Sequence, residues 1–265
     1  MTSASIAWSA SDRYEPYVGR WSRVVASEFL DWLALGDGLA WLDVGCGTGA
    51  LAHTILERRA PRAVAGLDRS MDYVAAARDR TGNARASFLV ADACRLPLPD
   101  ERFDVAASAL VLNFVSDPRA MVAGMSRVVR SGGTVALYVW DYGEHMELMR
   151  WLWDTAAEMD PAAAELDEGR RFTVCAPDPL FLLFARCGLS EVEVRPIDVA
   201  TPFRDFDDYW IPFLGGQGPA PGYVMSLDEQ RRTELRERLR RALPTKPDGS
   251  IALSARAWAV KGRVE

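Results

Sequence analysis

The sequence predicts an open α/β fold in which parallel strands alternate with helices that cover both faces of one sheet. A short apolar run at 40–44 passes through alternating glycines into a pattern with helical spacing. Two further apolar runs, at 63–67 and 87–91, are each followed directly by a carboxylate. Helical patterns separate these runs, and such alternation is typical of a parallel sheet.

The other elements follow from local signals. Apolar residues with helical spacing from Val24 to Leu33 predict a helix ahead of the first strand, and the glycines at 36 and 38 end it. Ser70 and Asp117 are typical residues to begin the helices that follow them. The predicted strands are 40–44, 63–67, 87–91, 105–109, 134–140, 192–195 and 251–260.

Composition limits the function. The chain has 265 residues, of which 49% are hydrophobic, so it can bury a full core. Its net charge of −6 argues against a nucleic-acid partner, because such proteins concentrate positive charge. We see no signal peptide and no apolar run as long as a membrane span. We therefore expect a cytoplasmic protein with a small-molecule substrate, no membrane and no nucleic-acid partner. Its oligomeric state cannot be predicted.

The cysteines do not suggest a metal site. The four thiols, at positions 46, 94, 175 and 187, lie far apart in the sequence and form no C-x-x-C pair. This spacing favours free thiols over a zinc site or a disulfide framework.

The glycines after the first strand predict a nucleotide-binding loop. Gly45, Gly47 and Gly49 allow close approach of the backbone to a ligand at a helix N-terminus. Gly45, Gly47 and Ala50 formally match the dinucleotide fingerprint. Asp43 argues against a pyrophosphate, because like charges roughly 5 Å apart repel by about 3 kcal/mol at an effective dielectric of about 20. A ligand with an ammonium and a sulfonium would instead be attracted.

Two more acids follow strand ends. Asp68 comes about 20 residues after the loop, where a carboxylate can accept both hydrogen bonds of a ribose diol. The alternative is an ordinary acid at a helix start, ahead of Ser70. Asp92 follows the third strand. Ligands of open α/β sheets bind at the carboxyl ends of the strands, so Asp43, Asp68 and Asp92 should border one site.

With these residues in view, the chain resembles the class I S-adenosylmethionine-dependent methyltransferases, in a subgroup that acts on small molecules. The resemblance covers about residues 38–140. It depends on the segment 41–52, on L-P-h-x-D-x-x-F-D at 96–104 and on R-V-V-R-S-G-G-T at 127–134. It implies a Rossmann-like, doubly wound sheet of seven strands with an antiparallel last strand, and S-adenosyl-L-methionine as cofactor.

The resemblance also implies particular contacts. Asp92 would accept a hydrogen bond from the adenine amino group, and the Ala93 backbone amide would donate to the ring. An N-terminal helical lid would contact the cofactor through Tyr17 and Arg20, although packing of the lid aromatics on the core is an alternative. The remaining expected cofactor-binding residues are Asp43, Gly45, Cys46, Gly47, Gly49, Asp68, Arg69 and Ser108.

Two side chains are candidates for catalysis. His145 lies in a W-D-Y-G-E-H segment after the fifth strand, and because an imidazole can accept a proton it is a candidate general base; a solvated loop histidine is the alternative. Asn113 stands where the family often has a histidine. It could orient a substrate hydroxyl or amine, or it could tie the loop backbone. The expected substrate contacts are Trp21, Trp140 and Tyr142.

We expect a single methyltransferase domain. It would comprise an N-terminal helical lid at 1–36, a cofactor-binding half at 37–140, cap insertions at 141–176 and 202–248, and further sheet core at 177–201 and 249–265. Aromatic residues in the insertions suggest a hydrophobic or aromatic acceptor that is methylated in line. Two alternatives stay open: a cofactor-dependent hydrolase, cyclase or decarboxylase on the same fold, and a non-catalytic regulatory module that binds the cofactor.

Overall fold

A seven-stranded sheet lies at the centre of the protein. The structure, a computed structural model, describes residues 19–215 and 218–265. The strands have the order β3-β2-β1-β4-β5-β7-β6. The first five pair in parallel, whereas β7 runs antiparallel to β5. The strands are β1 (Ala40–Val44), β2 (Ala63–Asp68), β3 (Ala86–Val90), β4 (Phe103–Ala109), β5 (Val129–Trp140), β6 (Ser190–Phe203) and β7 (Ile251–Arg263). The predicted doubly wound sheet with an antiparallel last strand is confirmed.

Helices connect the strands. They are α1 (Arg20–Leu33), α2 (Ala50–Arg58), α3 (Met71–Thr81), α4 (Pro118–Val128), α5 (Glu147–Met159), α6 (Glu168–Arg171), α7 (Pro177–Arg186), α8 (Phe206–Trp210), α9 (Pro219–Ser226) and α10 (Glu229–Ala242). Short 3₁₀ turns occupy Leu112–Phe114, Pro161–Glu165 and Ile211–Gly215. Among the helices of the described residues, none is long and apolar enough to cross a membrane.

The core lies along the central strands. Every residue of β1 is buried, as a parallel strand covered on both faces requires. Ser70 caps α3 by accepting from the Tyr73 amide, and Asp117 caps α4 by accepting from the Ala120 amide. These two caps fix where α3 and α4 begin.

Some boundaries differ from the predictions. β5 begins at Val129, directly after α4, and not after the glycines at 132–133. β6 extends to Phe203, because it is the edge strand and tolerates Pro196 and Pro202, which lack a backbone N–H. α10 begins at Glu229, because the Asp228 side chain accepts from the Arg231 amide and caps its start.

The chain forms two compact units. The sheet unit contains residues 22–140, 174–197 and 257–265. The helical unit contains, among the described residues, 19–21, 141–173, 198–215 and 218–256. Most of the two predicted insertions belongs to the helical unit, whereas residues 22–33 of the predicted lid belong to the sheet unit.

Candidate active site

Asp43 is fully buried near the carboxyl end of β1. Its Oδ2 accepts from the Ala52 amide at 3.0 Å, so it satisfies one of the amides that the first turn of α2 leaves free. Its Oδ1 has no hydrogen-bond partner among the described residues. Burial raises the pKa of this carboxyl to about 7 against the effect of the Ala52 bond, and the charge of Asp68 adds to the rise. A buried oxygen without a partner fits a ligand that brings a donor or a positive charge.

The loop amides predicted to face a cofactor are paired within the protein. The amides of Gly45 and Cys46 both donate to the Leu67 carbonyl at 2.8 Å. The Gly47 amide donates to Asp68 Oδ2 at 3.1 Å, and the Gly49 amide donates to the Cys46 carbonyl at 2.8 Å. A phosphate site at a glycine loop depends on amides that point at the ligand. This loop instead presents two acids and paired amides, which fits a cationic nucleoside better than a dinucleotide.

Gly45 and Gly47 have different surroundings, although both have positive φ, at +75° and +51°. A Cβ atom on Gly45 would lie 2.4 Å from the Val111 side chain, so packing within the protein requires this glycine. A Cβ atom on Gly47 would meet nothing within 4 Å. Space is therefore open at Gly47 and filled at Gly45.

The three predicted acids lie at or just beyond the carboxyl ends of three neighbouring strands. In the register of the sheet, Asp68 is opposite Val90 of β3, and Asp43 is opposite Gly66 of β2. Asp68 is partly exposed and accepts from the Ser70 amide at 2.8 Å. Asp92 is exposed and accepts from the Cys94 amide at 2.8 Å; Ala93 beside it is half-buried. Their contacts with a cofactor stay predictions.

Three other predicted cofactor contacts have different environments. The Ser108 hydroxyl is buried and donates to the Val44 carbonyl at 2.6 Å, so it joins β4 to β1. The Cys46 thiol is buried, and burial together with the charges of Asp43 and Asp68 raises its pKa well above the usual value. Arg69 is exposed. None of these environments identifies a ligand, so their roles stay predictions.

Asn113 lies in the 3₁₀ turn that follows β4. Both polar atoms of its amide are buried, and neither has a hydrogen-bond partner among the described residues. The interpretation that this amide ties the loop backbone is therefore wrong. An amide left without partners is available to orient a substrate group.

His145 belongs to the helical unit and is paired with a carboxylate. Its Nδ1 lies 2.9 Å from Asp141 Oδ2. Asp141 is buried, whereas the His145 side chain is 45% exposed. Asp141 was not among the predicted site residues. A spacing of four residues was the available signal, but that spacing places two side chains together only if a turn joins them.

The predicted lid contacts have partners within the helical unit. Arg20 Nη1 donates to Asp208 Oδ1 at 3.0 Å, and the guanidinium stacks over Trp21 and Phe203 at 4.4 and 4.7 Å from the ring centroids. Its Nε and Nη2 are buried without a partner among the described residues. Tyr17 lies outside the described residues.

The predicted substrate contacts are mostly buried. Trp140 is the last residue of β5, and its indole nitrogen has no partner among the described residues. Tyr142 packs edge-on against Phe172 at 5.2 Å between ring centroids. The insertion aromatics expected to line a pocket pack mainly on one another, as in the 5.4 Å contact of Phe203 with Tyr209. They form the core of the helical unit.

Comparison with known proteins agrees with the geometry at the sheet edge. Residues 42–137 match a protein family described as a methyltransferase domain. This chain contains a class I S-adenosylmethionine-dependent methyltransferase domain. The predicted family and its cofactor, S-adenosylmethionine, are confirmed.

Relatives of the methyltransferase domain differ in the acceptors for which they are named. A malonyl-[acyl-carrier protein] O-methyltransferase of Marinomonas sp. is 30% identical over 142 residues, which are 53% of this chain and 52% of that protein. A demethylmenaquinone methyltransferase of Roseiflexus castenholzii is 35% identical over 95 residues, 36% of this chain and 40% of that one. The chain thus spans about half or less of the length of these relatives.

A solved structure extends the likeness beyond the matched domain. Phosphoethanolamine N-methyltransferase 2 of Haemonchus contortus, in complex with S-adenosyl-L-methionine, superposes with a TM-score of 0.58 at 15% identity. The superposition covers 91% of this chain and 53% of that chain. At this identity the likeness shows the fold alone.

Proposed function

We propose that the protein transfers the methyl group of S-adenosylmethionine to a small acceptor of hydrophobic or aromatic character. The observation that supports this best is the pair of acids at the glycine loop. Asp43 keeps a buried oxygen without a partner among the described residues, Asp68 lies close enough to raise its pKa, and the space at Gly47 is open. A ligand that is cationic and has no phosphate satisfies this environment.

Residues of the sheet unit would hold the cofactor. Asp68 would accept from the ribose hydroxyls, Asp92 and the Ala93 amide would bind adenine, and Asp43 would face the positively charged end. Hydrogen bonds of this charge-assisted kind contribute about 1.5–3 kcal/mol each. When bound, the cofactor supplies an electrophilic methyl group. The protein has to orient the acceptor in line with that group and to exclude water.

The acceptor class rests on the residues predicted to contact it. Trp140, the last residue of β5, is aromatic and buried, which suits an apolar molecule. Asn113 adds two polar atoms that could fix the orientation of one polar group. The named acceptors of the relatives differ from one another, so they do not narrow this class.

Calorimetry tests the cofactor. S-adenosylmethionine and its demethylated product should both bind, and Asp68→Ala should weaken the binding at least tenfold. Asp79, which is exposed on α3, gives the matched control Asp79→Ala with unchanged affinity. If neither compound binds the wild type, the proposal fails.

A labelling experiment tests the reaction. The protein is incubated with methyl-tritiated S-adenosylmethionine and a small-molecule extract. Label in a small organic-extractable product supports methyl transfer. Consumption of the cofactor, or turnover of a compound in the extract, without transfer of label would indicate another reaction type. Binding of the cofactor without any turnover would indicate a regulatory module.

A further inference from the structure

We propose that the Asn113 amide selects the substrate, and that the substrate is a neutral aromatic molecule with a hydrogen-bond donor and a hydrogen-bond acceptor on neighbouring atoms. This inference rests on the proposed methyl transfer and narrows its substrate class. The residues that carry it all belong to the sheet unit, which also contains the glycine loop, Asp43 and Asp68. Asn113 acts here through recognition, and no proton transfer is assigned to it.

The 3₁₀ turn that carries Asn113 packs against the glycine loop. The Phe114 amide donates to the Val111 carbonyl at 2.8 Å and so closes the turn. A Cβ atom on Gly45 would lie 2.4 Å from the Val111 side chain, so Val111 already fills the space beside that glycine. Asn113 is two residues from Val111 in the same turn. The turn therefore lies next to the loop at which we expect the cofactor.

The backbone is strained where the turn begins. Leu110, the residue after β4, has φ of +61° and is buried. A bulky side chain rarely adopts this left-handed conformation, and it persists only where the surrounding structure fixes it. Here the Leu110 amide donates to the Tyr138 carbonyl of β5 at 2.9 Å. Strained residues of this kind concentrate at ligand sites, which supports a binding role for the turn.

The Asn113 amide is left unpaired by the fold. Its Nδ2 and Oδ1 are buried, and neither has a hydrogen-bond partner in the described part of the chain. Because solvent does not reach these atoms, water does not replace the missing hydrogen bonds, and the amide lowers stability. The residue as a whole is half-buried, as are Phe114 and Val115, so the amide lies just below the surface. A polar group kept at a cost to stability is typical of a binding residue.

An amide with both atoms unpaired discriminates between ligand groups. Its Oδ1 only accepts hydrogen bonds, and its Nδ2 only donates them. A carboxylate or an ether would leave Oδ1 unpaired, and an ammonium would leave Nδ2 unpaired, at a cost in free energy. An N–H or O–H beside an accepting oxygen or nitrogen satisfies both atoms at once, as adenine does with asparagine in DNA recognition. A neutral ligand is favoured because the amide carries no charge to compensate a buried ion.

The neighbouring strand supplies an aromatic surface at the same edge. In the register of the sheet, Ala107 of β4 is opposite both Asp43 of β1 and Ala136 of β5. Side chains two residues apart on a strand point to the same face, so Trp140 of β5 lies on the same face of the sheet as Asp43. Trp140 is buried, and its indole N–H has no partner within residues 19–215 and 218–265. An aromatic substrate suits this surface, and the indole N–H supplies a further donor.

Calorimetry with matched pairs of probes tests the selection. The full chain is first saturated with the demethylated product of S-adenosylmethionine, so that no methyl transfer occurs. Catechol and 2-pyridone carry a donor beside an acceptor, whereas veratrole and N-methyl-2-pyridone have the same skeletons and only accept. We expect catechol and 2-pyridone to bind at least about tenfold more tightly than their methylated counterparts, which leave Oδ1 unpaired. Benzoate should bind as weakly as veratrole.

Substitution of the amide distinguishes a binding role from a structural one. Asn113→Leu removes two unpaired polar atoms at similar size, so we expect a higher unfolding midpoint and no preference within either pair of probes. Asn83, the other asparagine of the chain, is the matched control, because its Oδ1 accepts from the Arg85 amide at 3.0 Å. Asn83→Leu should lower the unfolding midpoint and leave the preference unchanged. Binding of the demethylated product reports that both variants are folded.

The outcomes separate this inference from the proposed function. Equal binding within the pairs, no binding of any probe, or a lower unfolding midpoint of Asn113→Leu would overturn selection by Asn113. Methyl transfer is judged by the labelling experiment, and it stands if label reaches any compound of the extract. If the wild type does not bind the demethylated product at all, both proposals fail.

Discussion

Gly47 and Gly82 share a backbone torsion but not a role. Both have φ of +51°, and neither has an atom within 4 Å of the place where a Cβ would stand. Gly82 is the C-cap of α3, whereas Gly47 lies between Asp43 and Asp68 in the sequence, in the loop after β1. This pair separates the cost of backbone strain from the cost of an obstructed ligand site.

We predict that Gly47→Ala and Gly82→Ala each lower the free energy of unfolding by roughly 1–2 kcal/mol, because a Cβ disfavours the left-handed conformation. Only Gly47→Ala should weaken binding of S-adenosylmethionine, at least tenfold. Urea unfolding and calorimetry measure the two effects. Equal affinities of the two variants would show that the space at Gly47 is not the cofactor's.

Asp43→Asn tests the buried charge. The amide oxygen can still accept from the Ala52 amide, so the start of α2 is kept, but the negative charge is lost. We expect roughly tenfold weaker cofactor binding at pH 8, equivalent to about 1.4 kcal/mol. In the wild type the affinity should rise between pH 6 and pH 8, because a cation binds the ionised carboxyl, whose pKa is about 7 without ligand. The same pH dependence in the variant would exclude Asp43 as its source.

Some site residues could be predicted because their signals are local. Asp43 lies one residue before the end of an apolar run, and Asp68 directly follows another. A parallel sheet then places both at one edge. Other contacts join segments that lie far apart in the chain. The Val111 side chain packs against Gly45, and Arg20 forms an ion pair with Asp208. No pattern along the sequence encodes such contacts, so only the fold could reveal them.

At the scale of elements, one carboxyl connects three helices of the helical unit. Glu168, the first residue of α6, accepts from the Trp153 indole of α5 and, at 3.2 Å, from the Ala220 amide of α9. It is 1% exposed, and burial, opposed mainly by the Trp153 hydrogen bond, raises its pKa to about 7. Its removal would leave two buried donors unpaired.

We predict that Glu168→Ala lowers the free energy of unfolding by about 2–4 kcal/mol, since each unpaired buried donor costs about 1–3 kcal/mol. Glu168→Gln should cost less, because its amide oxygen keeps one acceptor. Urea unfolding gives the values, with the exposed Glu165→Ala as control. A loss no larger than that of the control would mean that Glu168 does not join the helices.

Strand boundaries show which elements the sequence can specify. β1 and β2 were predicted to within one residue, because apolar runs between helix caps are local signals. β5, β6 and β7 are all longer than predicted. The added residues at the start of β5 include two glycines and the added residues of β6 include two prolines, so their strand conformation depends on neighbours in the sheet.

At the scale of the whole molecule, the two raised carboxyls predict how stability depends on pH. Asp43 and Glu168 bind a proton more tightly in the folded chain, because their pKa values rise from 3.8 and 4.5 to about 7. Their contribution to stability is complete below about pH 4 and is lost as the pH rises through 7. Asp104, Asp198, Asp208 and Glu193 have lowered pKa values and act in the opposite sense, so their contribution is lost as the pH falls below about 4.

We therefore expect the unfolding midpoint of the ligand-free protein to fall between pH 6 and pH 8. Glu168→Gln should reduce the fall by removing one of the two titrating groups. Calorimetric scans of both proteins at matched ionic strength measure this. A midpoint that rises over this range would contradict the assignment.

The helical unit is not a contiguous segment of the chain. Its described parts between residues 141 and 256 are separated by 174–197, which belongs to the sheet unit. Within it, Glu168 from the earlier part binds Ala220 from the later one. A chimaera that grafts only 141–173 from a relative would therefore pair two halves that did not evolve together. Recombination that keeps the helical unit intact therefore requires both parts to move at once.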